Sequence, residues 1–304
     1  MTSALDRPLK WRTLAGRGRR RRVANAVATI LVTLAMVIAL APLLWLLCAV
    51  GINGFKALTS STWWTHSQAG TTALNPGGGA YHAIVGTLLL GLACAVISIP
   101  IGVLVGIYLV EYGGRNALAR LVTFTVDILA GVPSIIAALF VYAVWVAAMG
   151  LPRSQFAVSL ALVVMMLPVI ARATEEMLRI VPMDLREASY ALGVSKWKTI
   201  ARVVLPTGRS GILTGILLAL ARVLGETAPL LILVGYSRAM NFDMFNGFMG
   251  SLPGMMYDQT TAGAGANPVP TERMWGAALT LILLIAILNI GARAVANIFA
   301  PKKT

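Results

Sequence analysis

Six apolar stretches, residues 23–50, 83–110, 121–149, 156–171, 211–235 and 274–299, divide this chain and leave few folds open to it. A helix needs roughly 20 predominantly apolar residues to cross a bilayer's hydrocarbon core, and longer runs tilt or extend past it. Five stretches reach that length, and the one at 156–171 falls short. Composition points the same way. At 58% hydrophobic and 12% charged over 304 residues, the chain is excluded from the soluble globular class. The expected fold is all-α: a polytopic membrane protein with six transmembrane helices.

The net charge of +14 is distributed along the chain in a way that fixes topology. With the N-terminus inside, the internal segments hold eight basic residues before Val23, then Arg115 and Arg120, seven from Arg172 to Arg209, and three at the C-terminal end. The external loops hold Lys56, Arg153, Arg238 and Arg273. This imbalance obeys the positive-inside rule and places both termini in the cytoplasm. The run Arg17, Arg19, Arg20, Arg21 and Arg22 is then a topology anchor. No aromatic residue interleaves it, so no nucleic-acid partner is expected.

The first apolar run far exceeds the roughly 7 to 15 residues of a signal peptide's core, so it is expected to be retained as a span. Cys48 and Cys94 lie in apolar segments and read as buried thiols. His66 and His82 have no carboxylate or thiol near them in sequence, so no metal and no cofactor is expected. In Gly193-Val194-Ser195-Lys196-Trp197-Lys198-Thr199, Trp197 stands where a phosphate-binding loop needs its second glycine. ATP, if used, must therefore be hydrolysed by another subunit. Two long external loops, 51–82 and 236–272, carry Trp63-Trp64 and Gly77-Gly78-Gly79 in the first and Gly, Asn, Met and Pro in the second. The tryptophans read either as interfacial anchors or as a docking surface.

Charges inside the apolar stretches single out candidate residues. Arg222 stands eleven residues after Gly211 and thirteen before Gly235, about 17–20 Å from either end of a continuous helix and so near the bilayer midplane. An arginine there costs about 2.5–3.5 kcal/mol on insertion scales and must face protein or water. Glu226, four residues on, is expected on the same face. Two readings stand: an ion pair pinning the helix to a neighbour, or a pathway site whose planar guanidinium receives oxyanions while Glu226 keeps them from being trapped. Pro229 is expected to loosen this helix near Gly225. Arg172 lies just past the fourth stretch, again with a glutamate, Glu176, four residues on; it reads as an inner-mouth anion contact or as a topology charge. Asp127 reads as a helix-pairing residue, because a carboxylate repels oxyanions.

The loop at 180–209 reads as two short helices. Asp184 is placed to cap the first, with Glu187 as its capping-box partner, and Leu185, Ala188, Ser189 and Leu192 follow helical spacing. Gly193 suits a helix end needing positive φ, and Ser195 suits the cap of a second helix running towards Pro206. Residue chemistry leaves two readings, a headgroup-bound amphipathic helix touching membrane lipid or a protein-docking element. The pattern Glu187-Ala188-Ser189, three residues, Gly193, nine residues, Val203, one residue, Leu205-Pro206 resembles the signature loop of bacterial ABC importer permeases, with Ser189 and Val203 as near-isosteric departures. In that family the loop lies in a groove of the cytoplasmic ATP-binding subunit.

Further segments sharpen the likeness: Gly77-Gly78-Gly79 to Gly86-Thr87-Leu88, 129–135, 172–178 and 222–230 are similar to PstA-like permeases of phosphate-specific importers. The resemblance implies a type I ABC importer permease-like fold and a transport subunit rather than an enzyme. It also implies a sister permease, two copies of an ATP-binding subunit, an extracytoplasmic phosphate-binding protein, and inorganic phosphate as cargo passing Arg222 and Arg172. The expected organisation is a basic cytoplasmic segment 1–22, a first span 23–50, an external loop 51–82, a permease core 83–299 and a tail 300–304. The nearest rival is the same scaffold for sulfate or molybdate. A passive anion channel would give the 180–209 loop no purpose, and an integral-membrane enzyme would need a nucleophile and base that the sequence does not cluster.

Overall fold

A computed structural model describes residues 12–114 and 116–298, so Arg7, Lys10, Arg115, Lys302 and Lys303 of the charge pattern lie outside the described residues, as do the side chains of Arg17 and Arg19. Twelve α-helices are found among the described residues: α1 (Arg12–Leu58), α2 (Ser61–Thr65), α3 (Tyr81–Ile107), α4 (Ala117–Ala130), α5 (Ser134–Val141), α6 (Gln155–Ile180), α7 (Met183–Ala191), α8 (Lys196–Thr199), α9 (Leu205–Leu224), α10 (Ala228–Leu233), α11 (Leu252–Thr261) and α12 (Pro268–Ile298). Short π-helical turns at Tyr108–Tyr112, Tyr142–Ala148 and Ile200–Val204 extend α3 and α5 and join α8 to α9. Five helices are long and apolar enough to cross a membrane, and six spans result if the bent pair Ala117–Ala130 and Ser134–Ala148 counts as one.

The chain divides into a unit of residues 1–52 and a second of 53–304. In the first, α1 exposes Ile30, Val32, Ile38, Leu44 and Trp45 at successive positions around the helix, a surface suited to hydrocarbon. Cys48 is exposed here, contrary to expectation, because α1 turns apolar side chains outward on every face; Cys94, in the second unit, is buried.

The second unit is built around α6, whose Leu162, Met166 and Ile170 are fully buried. Small residues let its neighbours approach closely. On α3, a Cβ at Gly102 would lie 2.8 Å from Ile170 and one at Gly106 2.6 Å from Thr174. On α9, Gly211 and Gly215 play the same part against Met177 and Ala173 of α6. The short fourth stretch is thus the apolar part of a 26-residue helix that carries Arg172 in its last third.

Two expected spans are broken. The stretch 121–149 bends by 109° between α4 and the α5 segment. Pro133 lacks an N–H and bars the helical conformation from Val132, so the chain turns at Gly131-Val132-Pro133 and restarts. The stretch 211–235 likewise ends early: α9 begins upstream at Leu205 and stops at Leu224, with Gly225 as its cap, and α10 begins at Ala228. Pro229 would clash with the Gly225 carbonyl in a continuous helix.

The two long loops at 51–82 and 236–272 fold onto each other. Arg273 is 4% exposed and donates to the carbonyls of Thr72, Asn75 and Gly77. Arg238 forks onto Asp258 and also donates to the Thr71 carbonyl. Gly79 passes so near the Thr62 carbonyl that a Cβ would stand 2.2 Å away. Trp63 is neither anchor nor docking surface: it is buried, and its indole N–H donates to Thr280 Oγ1 at 2.9 Å. Tyr236 bridges His82 Nε2, at 2.8 Å, and Gln68 Oε1, at 3.4 Å; burial, with Asp258 adding to it, raises its hydroxyl pKa and keeps it protonated.

Candidate functional site

The 180–209 loop forms a two-helix corner beneath the ends of α3 and α6. Gly193 makes the turn at φ +71°, the left-handed conformation its position requires. The expected caps are absent. Pro182, not Asp184, occupies the N-cap of α7, and Ser195 stands at the N-cap of α8 without a side-chain hydrogen bond. Proline pre-sets the entry angle and draws the helix start two residues upstream of a usable carboxylate cap. The helically spaced residues of α7 do not share one environment. Arg186 and Ser189 are buried, whereas Glu187, Ala188, Leu185 and Leu192 are exposed. Ser189 Oγ sits 2.8 Å from Thr199 Oγ1, so the departure from alanine adds a hydrogen bond between the two helices. Leu205 and Pro206 open α9, half-buried. Leu192 at 83% exposure and Trp197 at 60% join Met183 and Leu185 as exposed apolar side chains on this corner, the kind of surface that marks an interaction site.

The second constellation gathers about Arg172 and differs in its partners from the expected pair. Arg172 Nη1 donates to Glu175 Oε2 at 2.5 Å, and its Nη2 donates to Asp127 on α4. Arg179 Nη2 donates to the other Glu175 oxygen at 2.6 Å. Glu175 is 2% exposed between two guanidinium groups, while Glu176 is exposed and forms no ion pair among the described residues. The two glutamates lie about 100° apart around the helix, and only Glu175 falls on the buried side, between Arg172 and Arg179. Asp127 is a pairing residue, as read from its charge. A cavity of about 300 Å³ lies beside the cluster, lined in part by Arg120, Thr123, Asp127, Glu175 and Arg179.

Arg222 lies on the last turn of α9, exposed, and its guanidinium makes no ion pair or hydrogen bond among the described residues. Glu226 is past the helix end, its N–H donating to the Val223 carbonyl at 3.1 Å, so the two do not share a helical face. Thr207, Ser210, Thr214 and Leu218 run down the same exposed side of α9 as Arg222. Thr207 and Thr214 satisfy their hydroxyls on their own helix, at the carbonyls of Val203 and Ser210. Arg222 is thus the charged group on this face, and it has no partner among the described residues.

Residues 98–304 match the family described as binding-protein-dependent transport system inner membrane component. The chain belongs to that family. As a permease of this family it is a transport subunit, not an enzyme, a multi-pass inner-membrane component working with an ATP-binding subunit and a substrate-binding protein. Among its relatives, the phosphate transport system permease protein PstA 1 of Mycobacterium tuberculosis (strain H37Rv) is 53% identical over 95% of this chain and 92% of the relative. The PstA proteins of Mycobacterium leprae and Yersinia pestis are 52% and 38% identical, over 94% and 93% of this chain and 93% and 92% of their own lengths. A chain of the MetNI methionine ABC transporter in inward-facing conformations is similar in fold, with a TM-score of 0.55, 25% identity, and 72% of this chain and 93% of that one covered. A chain of a bacterial ABC transporter involved in alginate import aligns with a TM-score of 0.61 over 95% of this permease and 100% of that chain, at 13% identity. These likenesses establish the type I ABC importer permease architecture.

Glu175, Glu111 and Arg186 escaped the reading of the sequence. Glu175 stood beside Glu176, and spacing alone does not decide between i+3 and i+4. Glu111 closes the second apolar stretch, where a lone carboxylate at the helix end was the available signal.

Proposed function

We propose that this permease carries inorganic phosphate inward, pairing with a sister permease above two copies of an ATP-binding subunit and receiving its cargo from an extracytoplasmic phosphate-binding protein. Both termini then face the cytoplasm. The observation that carries the cargo assignment is the 53% identity, over 95% of the chain, to a permease named for phosphate transport. Site chemistry supports it. Arg222 offers an unpartnered planar fork of donors that stays charged at any physiological pH, suited to an oxyanion. Glu226, across the Gly225 turn, keeps the local field from holding the anion too tightly, as a conduction site requires. Arg172 is the inner contact; it receives phosphate when the anion displaces Asp127. Glu176, exposed on the same helix and without an ion pair among the described residues, stands beside this contact as a second carboxylate of the route.

The exposed surface of Glu187, Ala188 and Leu192 is the seat of the ATP-binding subunit, with Gly193 setting its corner and Leu205-Pro206 carrying its movement into α9. In the reconstituted complex, excess unlabelled phosphate should abolish uptake of labelled phosphate while equal sulfate or molybdate leaves it intact. Equal competition by sulfate or molybdate would move the assignment to that anion.

A further inference from the structure

One buried ion pair fastens the docking loop to the membrane helices. Arg186, on α7, is 7% exposed, and its Nε and Nη2 donate to Glu111 Oε1 at 3.1 and 2.8 Å. The same guanidinium donates to the carbonyls of Leu178 at 2.9 Å and Val181 at 2.6 Å. One side chain therefore joins three elements: the π-helical end of α3, the last turn of α6, and α7. Lys196, at the start of α8, adds a second strap, since its ammonium donates to the Glu111 carbonyl and stands 4.6 Å from the centre of the Tyr112 ring. The Ser189–Thr199 hydrogen bond makes α7 and α8 one body.

The backbone gives this brace its importance. Between α6 and α7 the chain passes through Val181 and Pro182, both extended, with ψ of 124° and 141°. A push on α7 across so short a non-helical joint would be taken up by rotation there. Beside the pair lies a cavity of about 600 Å³, lined in part by Glu111, Pro182, Met183, Arg186 and Lys196, so close packing does not duplicate the brace on that side. Leu178 is six residues from Arg172 on α6, about 9 Å along the axis, and α3 is locked against α6 by the Gly102 and Gly106 contacts.

We propose that Arg186, with Glu111 as its counter-ion, is the positioning residue that makes the docking loop rigid with α3 and α6, so that movement imposed on α7 reaches the pathway. A lysine in its place keeps the charge but loses the fork that reaches a carboxylate and two carbonyls together. The inference rests on the 180–209 loop being the seat of the ATP-binding subunit.

The test uses the complete complex in proteoliposomes with its binding protein, measuring co-purification of the ATP-binding subunit, ATP hydrolysis, and phosphate taken up per ATP hydrolysed by assembled complex. E111Q and R186Q should assemble and hydrolyse ATP while uptake per ATP falls by about tenfold, within the range that coupling positions carry. R186K should fall between them and the native protein, and the exchange of E111R with R186E should recover part of the loss. Unchanged uptake per ATP in assembled E111Q and R186Q overturns the proposal. So does failure of every variant to assemble, which would assign the pair to folding alone. Should E187K and L192D co-purify normally with the ATP-binding subunit, the docking reading itself fails and takes the proposal with it. If those two lose the subunit and E111Q stays coupled, only the brace is refuted.

Discussion

At the scale of single residues, the two glutamates that follow Arg172 separate most sharply. Glu175 is buried and accepts hydrogen bonds from the more exposed Arg172 and Arg179, and hydrogen bonds to charged groups are worth about 1.5–3 kcal/mol. E175Q should therefore lower the thermal midpoint of the purified permease clearly, whereas E176Q, on the exposed side, should change stability by no more than about 0.5 kcal/mol. Equal midpoints for the two variants would contradict the cluster. The sequence made Arg172 and a helical carboxylate visible, because charge in an apolar context needs a partner. It did not make the right partner visible: either glutamate is within reach along one helix, and the choice is made by Asp127 on α4, 45 residues away. Arg222 shows the opposite case. Its isolation in an apolar run was plain, but the pairing assumed with Glu226 depended on a helix that ends at Leu224.

At the scale of elements, the 180–209 loop was the most legible part of the chain, since Gly193 and the spacing around it specify a corner through local backbone chemistry. Placing a β-branched residue there tests that chemistry. G193V forces an L side chain into the left-handed region, at roughly 1–2 kcal/mol, and should weaken co-purification with the ATP-binding subunit. Undiminished co-purification would mean that the corner is not what the subunit grips. The face that α7 buries was not legible from local spacing: the buried position goes to Arg186, whose burial is compensated by partners on α3 and α6. Helix contacts offer a second test. G106L would drive side-chain atoms into Thr174 and separate α3 from α6, an overpacking cost of about 1–3 kcal/mol or more, visible as reduced yield and a lower thermal midpoint. The breaks at Pro133 and Pro229 were less legible because proline in a transmembrane helix either kinks or ends it, and the neighbouring helices decide which.

At the scale of the whole molecule, the all-α membrane class and the approximate spans followed from hydropathy, while the interlocked external loops did not. Their ties, such as Arg273 to the carbonyls of Thr72 and Gly77, join residues about 200 positions apart, beyond the reach of any local pattern. R273Q should free the 72–77 segment and speed its cleavage in limited proteolysis from the outer face. The proposed pathway turns on Arg222, whose guanidinium has no ion pair or hydrogen bond among the described residues. Uptake of labelled phosphate by the reconstituted complex carrying R222Q, assembled with its ATP-binding subunit at native yield, tests this most directly. The account predicts that uptake falls by about tenfold or more, the equivalent of at least roughly 1.4 kcal/mol, while ATP-binding-subunit association is unchanged. Native uptake rates in that variant would contradict it and leave Arg222 a fastening between helices.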